Sequence, residues 1–359
     1  MIRRCILIKY HTWTGSETSQ VKKLRISILK EVGKMHEVII DCDPGIDDCL
    51  ALLYALKSPH LQVKAICVVC GNVPTKIGVR NVFHCLAKCN RLDIPVYVGA
   101  DQPLVVDFTS AQDTHGMDGL GESQLASDVV DMPIQSETAP AFYARIFAQP
   151  TQLSVIALGP LTNIALALEL NPSIGSNMQR FVSMGGAYLS HGNCSPVAEY
   201  NYWCDPHAAR AVYQNLNQTI EMVGLDVTRE IVFTPNLLSY CQYVQPEMGT
   251  YLARLVQFYF DFHWQQEHIL GCVINDPLAV AYFIQPQLCE GFTTFVDVET
   301  QGIARGQTLV DRHHFWQKKA NAKVLTKVLP DQFFIQFLSV LLDAPASVIA
   351  EDLKLWKIG

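Results

Sequence analysis

The chain has 359 residues, of which 49% are hydrophobic and 17% charged, and a formal net charge of −7. That length and apolar content suit a large buried core, and the acidic balance argues against a nucleic-acid partner. No apolar run approaches the ~20 residues of a membrane-spanning helix, so no membrane partner is expected.

Residues 1–34 have weak periodicity, and their short apolar core after Arg3-Arg4 does not read as a signal peptide. They are expected to be an N-terminal extension outside the fold, with the folded domain spanning 35–359. Twelve cysteines are scattered, mostly inside apolar runs. They read as reduced thiols of a cytoplasmic protein. Cys67 and Cys70 are spaced C-x-x-C, but they sit in a strand-like run, and no second pair follows at zinc spacing.

The first strong element is an apolar run over 38–40, which ends in Asp41-Cys42-Asp43-Pro44-Gly45-Ile46-Asp47-Asp48. An apolar run over 49–56 follows. The pattern predicts a buried strand, a tight Pro-Gly turn and a helix. Next come a strand over 63–70 ending in Gly71-Asn72, a helix over 75–89 and a short strand over 95–99. Residues 100–135 form a long polar loop containing His115-Gly116. A helix over 139–148, a strand over 153–158 and a helix over 161–170 follow. A strand over 181–184 ends in Gly185-Gly186. Irregular chain over 187–205 precedes a helix over 206–214 and a strand over 220–225. A long, partly aromatic helix is predicted over 252–268. Asn275-Asp276-Pro277 opens another through 283. A hairpin joins 295–299 to 308–310, and a last amphipathic helix covers 331–342.

Strands and helices alternate throughout. The fold class is therefore α/β, a single domain with a Rossmann-like, mainly parallel central sheet and flanking helices. The polar residues follow the strand ends: the opening acids, Asn72, the turn after Leu158, Gly185-Gly186 and Asp226. A parallel sheet gathers those ends on one edge, where ligands bind.

Four acids within eight residues repel one another unless a cation sits among them. A hard cation held by oxygen, Ca²⁺ or Mg²⁺, fits that need. Asp43 and Asp48 are candidate ligands and Asp41 a supporting residue. Asp276 is a third candidate ligand, although taken alone a helix cap is the better reading of it. Asn193, Glu199 and Asn201 carry the donors and acceptors that grip sugar hydroxyls, in a stretch that also reads as an ordinary surface loop.

The opening motif resembles the D-x-D-P-G-x-D-D fingerprint of the inosine–uridine nucleoside hydrolases. Val69-Cys70-Gly71-Asn72, 157–165, Met184-Gly185-Gly186, 192–201, 223–228 and Asn275-Asp276-Pro277 resemble further family segments in the same order. The resemblance implies the nucleoside hydrolase fold. It implies hydrolysis of the N-glycosidic bond of ribonucleosides to ribose and free base, in nucleoside salvage and catabolism. It also implies one bound Ca²⁺, with Asp43, Asp48, Asp276 and the main-chain carbonyl of Leu158 as ligands. Asp43 would be the general base. Asp47, Asn72, Asn201 and Asp276 would hold the 2′- and 3′-hydroxyls, and Asn193 and Glu199 the 5′-hydroxyl. The family suggests a homodimer or homotetramer.

One position departs from the family pattern. Asn275 stands in the base pocket where many members have a histidine thought to protonate the leaving base, and an amide is no general acid near neutral pH. His115 is the first candidate replacement acid. His263, on one helix face with Tyr259, is the second. The substitution raises an alternative, a catalytically impaired Ca²⁺-dependent nucleoside- or ribose-binding protein. A phosphatase that opens on D-x-D lacks its later lysine and acidic pair here.

Overall fold

The computed structural model describes residues 35–356. The expected extension over 1–34 lies outside the described residues.

Seven strands run through the core in chain order: β1 (His36–Cys42), β2 (Leu61–Val68), β3 (Val96–Val98), β4 (Ser154–Ala157), β5 (Phe181–Met184), β6 (Ile220–Val223) and, after two short pairs, β12 (Ala322–Val328). They pair parallel in the order β3-β2-β1-β4-β5-β6-β12. β9 (Cys289–Thr294) adds an antiparallel edge to complete eight strands. The short pairs are antiparallel: β7 (Val232–Phe233) with β8 (Cys272–Val273), and β10 (Val296–Val298) with β11 (Thr308–Val310). Alternation along β1 divides the core between the two faces. Val38, Ile40 and Cys42 join one hydrophobic cluster and Ile39 the other.

The strand order reverses between β1 and β4, which makes their carboxyl ends the switch point of the sheet. The helix after β1, Ile46–Lys57, is buried from Ile46 through Leu56. A helix apolar all round must be covered on every side. Helices Asn275–Ile284 and Pro330–Leu341 pack against it.

The predicted hairpin is β10–β11. Several elements differ from the sequence reading, among them β7, β8 and β9, which it did not anticipate. A helix at Pro235–Val244 was not anticipated, and the long helix starts at Pro246, with the Gln245 side chain accepting from Met248 N–H at 2.6 Å. β12 was not anticipated, because its polar outer positions mask a short apolar alternation. The helix over 331–342 is not the last, since Ala346–Trp356 follows. Among the described residues no helix is long and apolar enough to cross a membrane.

Candidate active site

β1 delivers Asp43 directly past its last residue, and the Pro44-Gly45 turn lets the following helix start at Ile46. Leu158 leaves β4 beside it, its N–H donating to the Asp41 carbonyl at 2.7 Å. The turn is tight enough to need glycine. A methyl group on Gly45 would sit 2.6 Å from His115 Nδ1. On Gly71 it would overlap the Asp43 carboxylate, and on Gly159 it would lie 2.6 Å from Asp43 Oδ1. Asp43 is thus clasped between two bare backbones.

The carboxylates are interlocked. Asp43 Oδ2 accepts from Asn72 N–H at 2.7 Å, while Asp43 Oδ1 is buried without a partner. Asp48 Oδ1 accepts from Asp43 N–H at 3.2 Å, and its Oδ2 from Gly45 N–H at 3.0 Å and Asn72 Nδ2 at 2.9 Å. Asp47 Oδ2 accepts from Asn275 Nδ2 at 3.0 Å and Tyr259 hydroxyl at 3.4 Å. Asp276 arrives from the first turn of helix Asn275–Ile284. It does not cap that helix, whose N-cap is Ile274 with no side-chain cap bond. Carboxylate oxygens of Asp47, Asp48 and Asp276 lie within 4.8 Å of one another.

Burial, then the charge of Asp48, drives the Asp43 carboxyl far above the ordinary range. Burial and the neighbouring Asp48, Asp47 and Asp43 do the same to Asp276. Asp48 is pushed up to about 6, by burial first and Asp47 second. Among the described residues no lysine or arginine pairs with any of these acids; His115 approaches Asp47 at 4.0 Å. Buried carboxylates without a cationic partner are costly to ionise. The donor set, all oxygen and with one acceptor unsatisfied, fits a hard metal ion. Asp47, Asp48 and Asp276 form that close trio, and Asp43, whose Oδ1 is buried and free, is not one of the three.

Beside this cluster lies a cavity of about 580 Å³. Asp47, Asn72, Leu158, Glu199 and Asp276 line it, and Asn193 stands at its mouth. Glu199 caps the short helix Tyr200–Cys204, accepting from Asn201, Tyr202 and Gly186 N–H at 2.8, 3.2 and 2.9 Å. Burial still raises its carboxyl to about 7. Asn193 Oδ1 accepts from Tyr200 N–H at 2.9 Å. Asn201 lies behind the wall and donates to the Leu158 carbonyl at 2.6 Å.

The other end of the cavity is built by the long helix Pro246–Glu267 and the 100–135 loop. The stripe that buries Leu252, Leu255 and Val256 continues into Tyr259 and His263, which reach the cavity. His115 also lines it. Its Nδ1 accepts from Ile46 N–H at 3.0 Å, so the ring proton sits on Nε2. A second proton on Nδ1 would face that N–H, which corrects the expectation of His115 as a full proton donor. This ring is held as a neutral hydrogen-bond donor, and burial lowers its basicity further. His263 Nδ1 donates to the Tyr259 carbonyl at 2.9 Å, leaving Nε2 as an acceptor, and burial lowers its pKa too. Asn275 donates to Asp47, and its Oδ1 is buried without a partner.

A family model described as inosine-uridine preferring nucleoside hydrolase matches residues 38–335. The chain belongs to that family. It is a nucleoside hydrolase, an enzyme of the N-glycosyl hydrolase class. A pyrimidine-specific ribonucleoside hydrolase, RihA, of Salmonella typhimurium is 36% identical over 294 residues, covering 81% of this chain and 93% of that protein. The plant nucleoside hydrolase PpNRh1 has a similar structure, with a TM-score of 0.81 at 31% identity over 86% of this chain and 99% of that one. A purine-preferring ribonucleoside hydrolase from Gardnerella vaginalis has a TM-score of 0.79 at 29% identity over 88% of this chain and 99% of that one.

In this nucleoside hydrolase most of the sequence-derived candidates lie in or beside the cavity; Asn201 stands behind its wall, and Asp41 and Asp226, two of the polar residues noted at strand ends, lie away from it. Asp41 accepts from Tyr143 hydroxyl and Asn163 Nδ2, each at 3.0 Å, and so braces side chains rather than loop amides. Asp226 accepts from the N–H groups of Tyr188, Leu189 and Ser190 and holds that loop from outside the cavity wall. Sequence reasoning missed Trp203, Phe262, Arg229 and Glu267, all of which line the cavity. Glu267 was detectable, since it falls at i+8 from Tyr259 and i+4 from His263.

Proposed function

We propose that this enzyme hydrolyses ribonucleosides to ribose and free base with Ca²⁺ in its acidic cluster, in nucleoside salvage and catabolism. The observation that carries the reading is Asp43. It is a buried carboxylate with one oxygen free, clasped at the switch point of the sheet beside three more acids. Asp43, Asp48, Asp276 and the Leu158 carbonyl would hold the cation, with Asp47 against it. When bound, the cation neutralises the cluster and makes the attacking water more acidic.

The remaining steps belong to side chains. Asp43 takes the proton of the water that attacks the anomeric carbon. Asn201, behind the wall, orients the Leu158 carbonyl instead of gripping a hydroxyl. Asp47, Asn72 and Asp276 fix the 2′- and 3′-hydroxyls, and Asn193 and Glu199 the 5′-hydroxyl. Their carboxylates offset the positive charge that develops on the ribose as the bond to the base breaks. At the base, the Nε2–H of His115 donates a hydrogen bond while Tyr259 supplies an aromatic wall. His263 is the imidazole there whose second nitrogen is free to take a proton. Eleven described cysteines are free thiols, which supports a reducing cytoplasmic setting. The proposal includes the homodimer or homotetramer that the resemblance implies.

The test is release of ribose from inosine, uridine and p-nitrophenyl riboside in the presence of Ca²⁺. Turnover of at least one substrate, lost on chelation, is expected. No turnover of any of the three, with ribose or nucleoside still bound, would replace the hydrolase with the binding protein. Family membership and the complete set of acids argue against that outcome.

A further inference from the structure

The base end of the cavity has a polarity that ordinary leaving groups do not use. Asn275 donates to Asp47 Oδ2 through both Nδ2 at 3.0 Å and its backbone N–H at 3.3 Å. Those bonds fix the amide, so its Oδ1 is an acceptor, buried and unmatched, in a residue that lines the cavity. His263 adds a second acceptor, Nε2, because its Nδ1–H is spent on the Tyr259 carbonyl. Glu267 and Arg229 neutralise each other in a two-pronged pair at 2.6 and 3.0 Å. Tyr259 and Phe262 supply aromatic faces, while that of Trp203 is taken by the Arg305 guanidinium at 4.1 Å. Unmatched acceptors and aromatic faces together favour a cation.

We propose that the preferred substrates of this site are ribonucleosides whose base is already positively charged, such as N-ribosylated pyridinium and 7-methylated purine nucleosides. The inference rests on the hydrolase reading and narrows its substrate class. The chemistry balances without an acid. Water oxygen bonds to the anomeric carbon, and its proton goes to the Asp43 carboxylate. The bond from that carbon to the ring nitrogen breaks, and its electron pair neutralises the base. The base departs as a neutral molecule. A neutral nucleoside would leave as an anion and needs a proton that Asn275 cannot give and that His263 can give only after its Nε2 has first taken one.

Matched pairs test this: 7-methylguanosine against guanosine, and 1-ribosylpyridinium against uridine, in the Ca²⁺-loaded wild type and in Asn275→His. General acid catalysis contributes roughly 10²–10⁴-fold where it operates. The wild type is therefore expected to prefer the charged member of each pair by about 100-fold or more in kcat. Asn275→His is expected to cut that preference at least about tenfold, by raising kcat on the neutral member. The variant removes the intrinsic reactivity of the charged nucleosides from the comparison. If it fails to fold, inhibition of the wild type by bases alone decides, since no bond is cleaved: 1-methylpyridinium binding tighter than uracil supports the inference, and binding no tighter overturns it. A preference under about tenfold, with guanosine or uridine turned over, overturns the inference and leaves the hydrolase standing. An unchanged preference in a folded variant also overturns it. No turnover of any of the four overturns the hydrolase reading itself.

Discussion

The two ends of the cavity are built differently. The acid end hangs on strand termini. Asp43 follows β1, Leu158 follows β4, Asn72 follows β2, and each is tied by backbone bonds to its neighbours. The base end hangs on one helix and a long loop, with side chains reaching across from elements far apart in sequence: His115 to Ile46, Tyr259 to Asp47. Strand ends in a parallel sheet cannot move singly, because each is paired on both sides. A helix face tolerates exchange of its side chains. On the proposed function, the acid end fixes what is cleaved and the base end sets which base leaves.

If the acid end carries the chemistry, its disruption must cost most. Asp43→Ala is expected to lower kcat by about 10²–10⁴-fold in the ribose-release assay. An unchanged rate would remove Asp43 as the base. Gly71→Ala keeps every acid but pushes on the Asp43 carboxylate. A displacement of about 1 Å at a reacting group costs roughly 10²-fold. A wild-type rate in that variant would show that the clasp does not position Asp43.

The same end should dominate stability. Folding raises the carboxyls of Asp41 and Glu199 to about 7, in both through burial. Groups with raised folded values bind more protons when folded than when unfolded. Their contribution is fully present below about pH 4, the unfolded range, and is lost as pH rises toward 7. Chelated protein is therefore expected to melt higher at pH 5 than at pH 8. Adding Ca²⁺ at 100 times its dissociation constant should restore about 2.7 kcal/mol at pH 8. A melting temperature that rises with pH in chelator would contradict the burial of uncompensated acids.

The contrast also explains what was legible in the sequence. β1, its turn and the buried helix after it announce themselves, because an apolar run, Pro-Gly and clustered acids coincide in one short stretch. Leu158 and Asn72 were placed by their position after strands. Asp276 was hidden, since Asx before Pro reads more readily as a cap, and only the tertiary structure brings it to Asp48. At the base end, His115 was visible as a polar residue in a long loop. Its protonation state was not, because the partner that sets it, Ile46 N–H, lies on another element. β12 and the helix Ala346–Trp356 were missed for a related reason: their local patterns are short, and packing against distant elements supports them.

The smallest expected effects come from the base end. His115→Ala leaves the buried Ile46 N–H without its acceptor, at a cost of about 1–3 kcal/mol in a denaturant melt. It should lower kcat on neutral nucleosides about tenfold. His115→Asn, which keeps an acceptor, should recover part of the stability and little of the rate. Equal recovery of both would reduce His115 to a support for the turn.

Arg229 gives the mildest prediction. Its guanidinium joins two segments: Glu267 at the end of the long helix, and the loop residues His191 and Gly192, through Nδ1 at 3.2 Å and the carbonyl at 3.1 Å. Helix and loop both carry cavity residues, and no reacting atom is involved. Arg229→Met removes the charge and keeps the stem, so the mouth loosens while the acids stay in place. KM is expected to rise several-fold with kcat nearly unchanged, the signature of lost uniform binding. A fall in kcat instead would mean that the base end is coupled to the acid cluster, and the division between the two ends would fail.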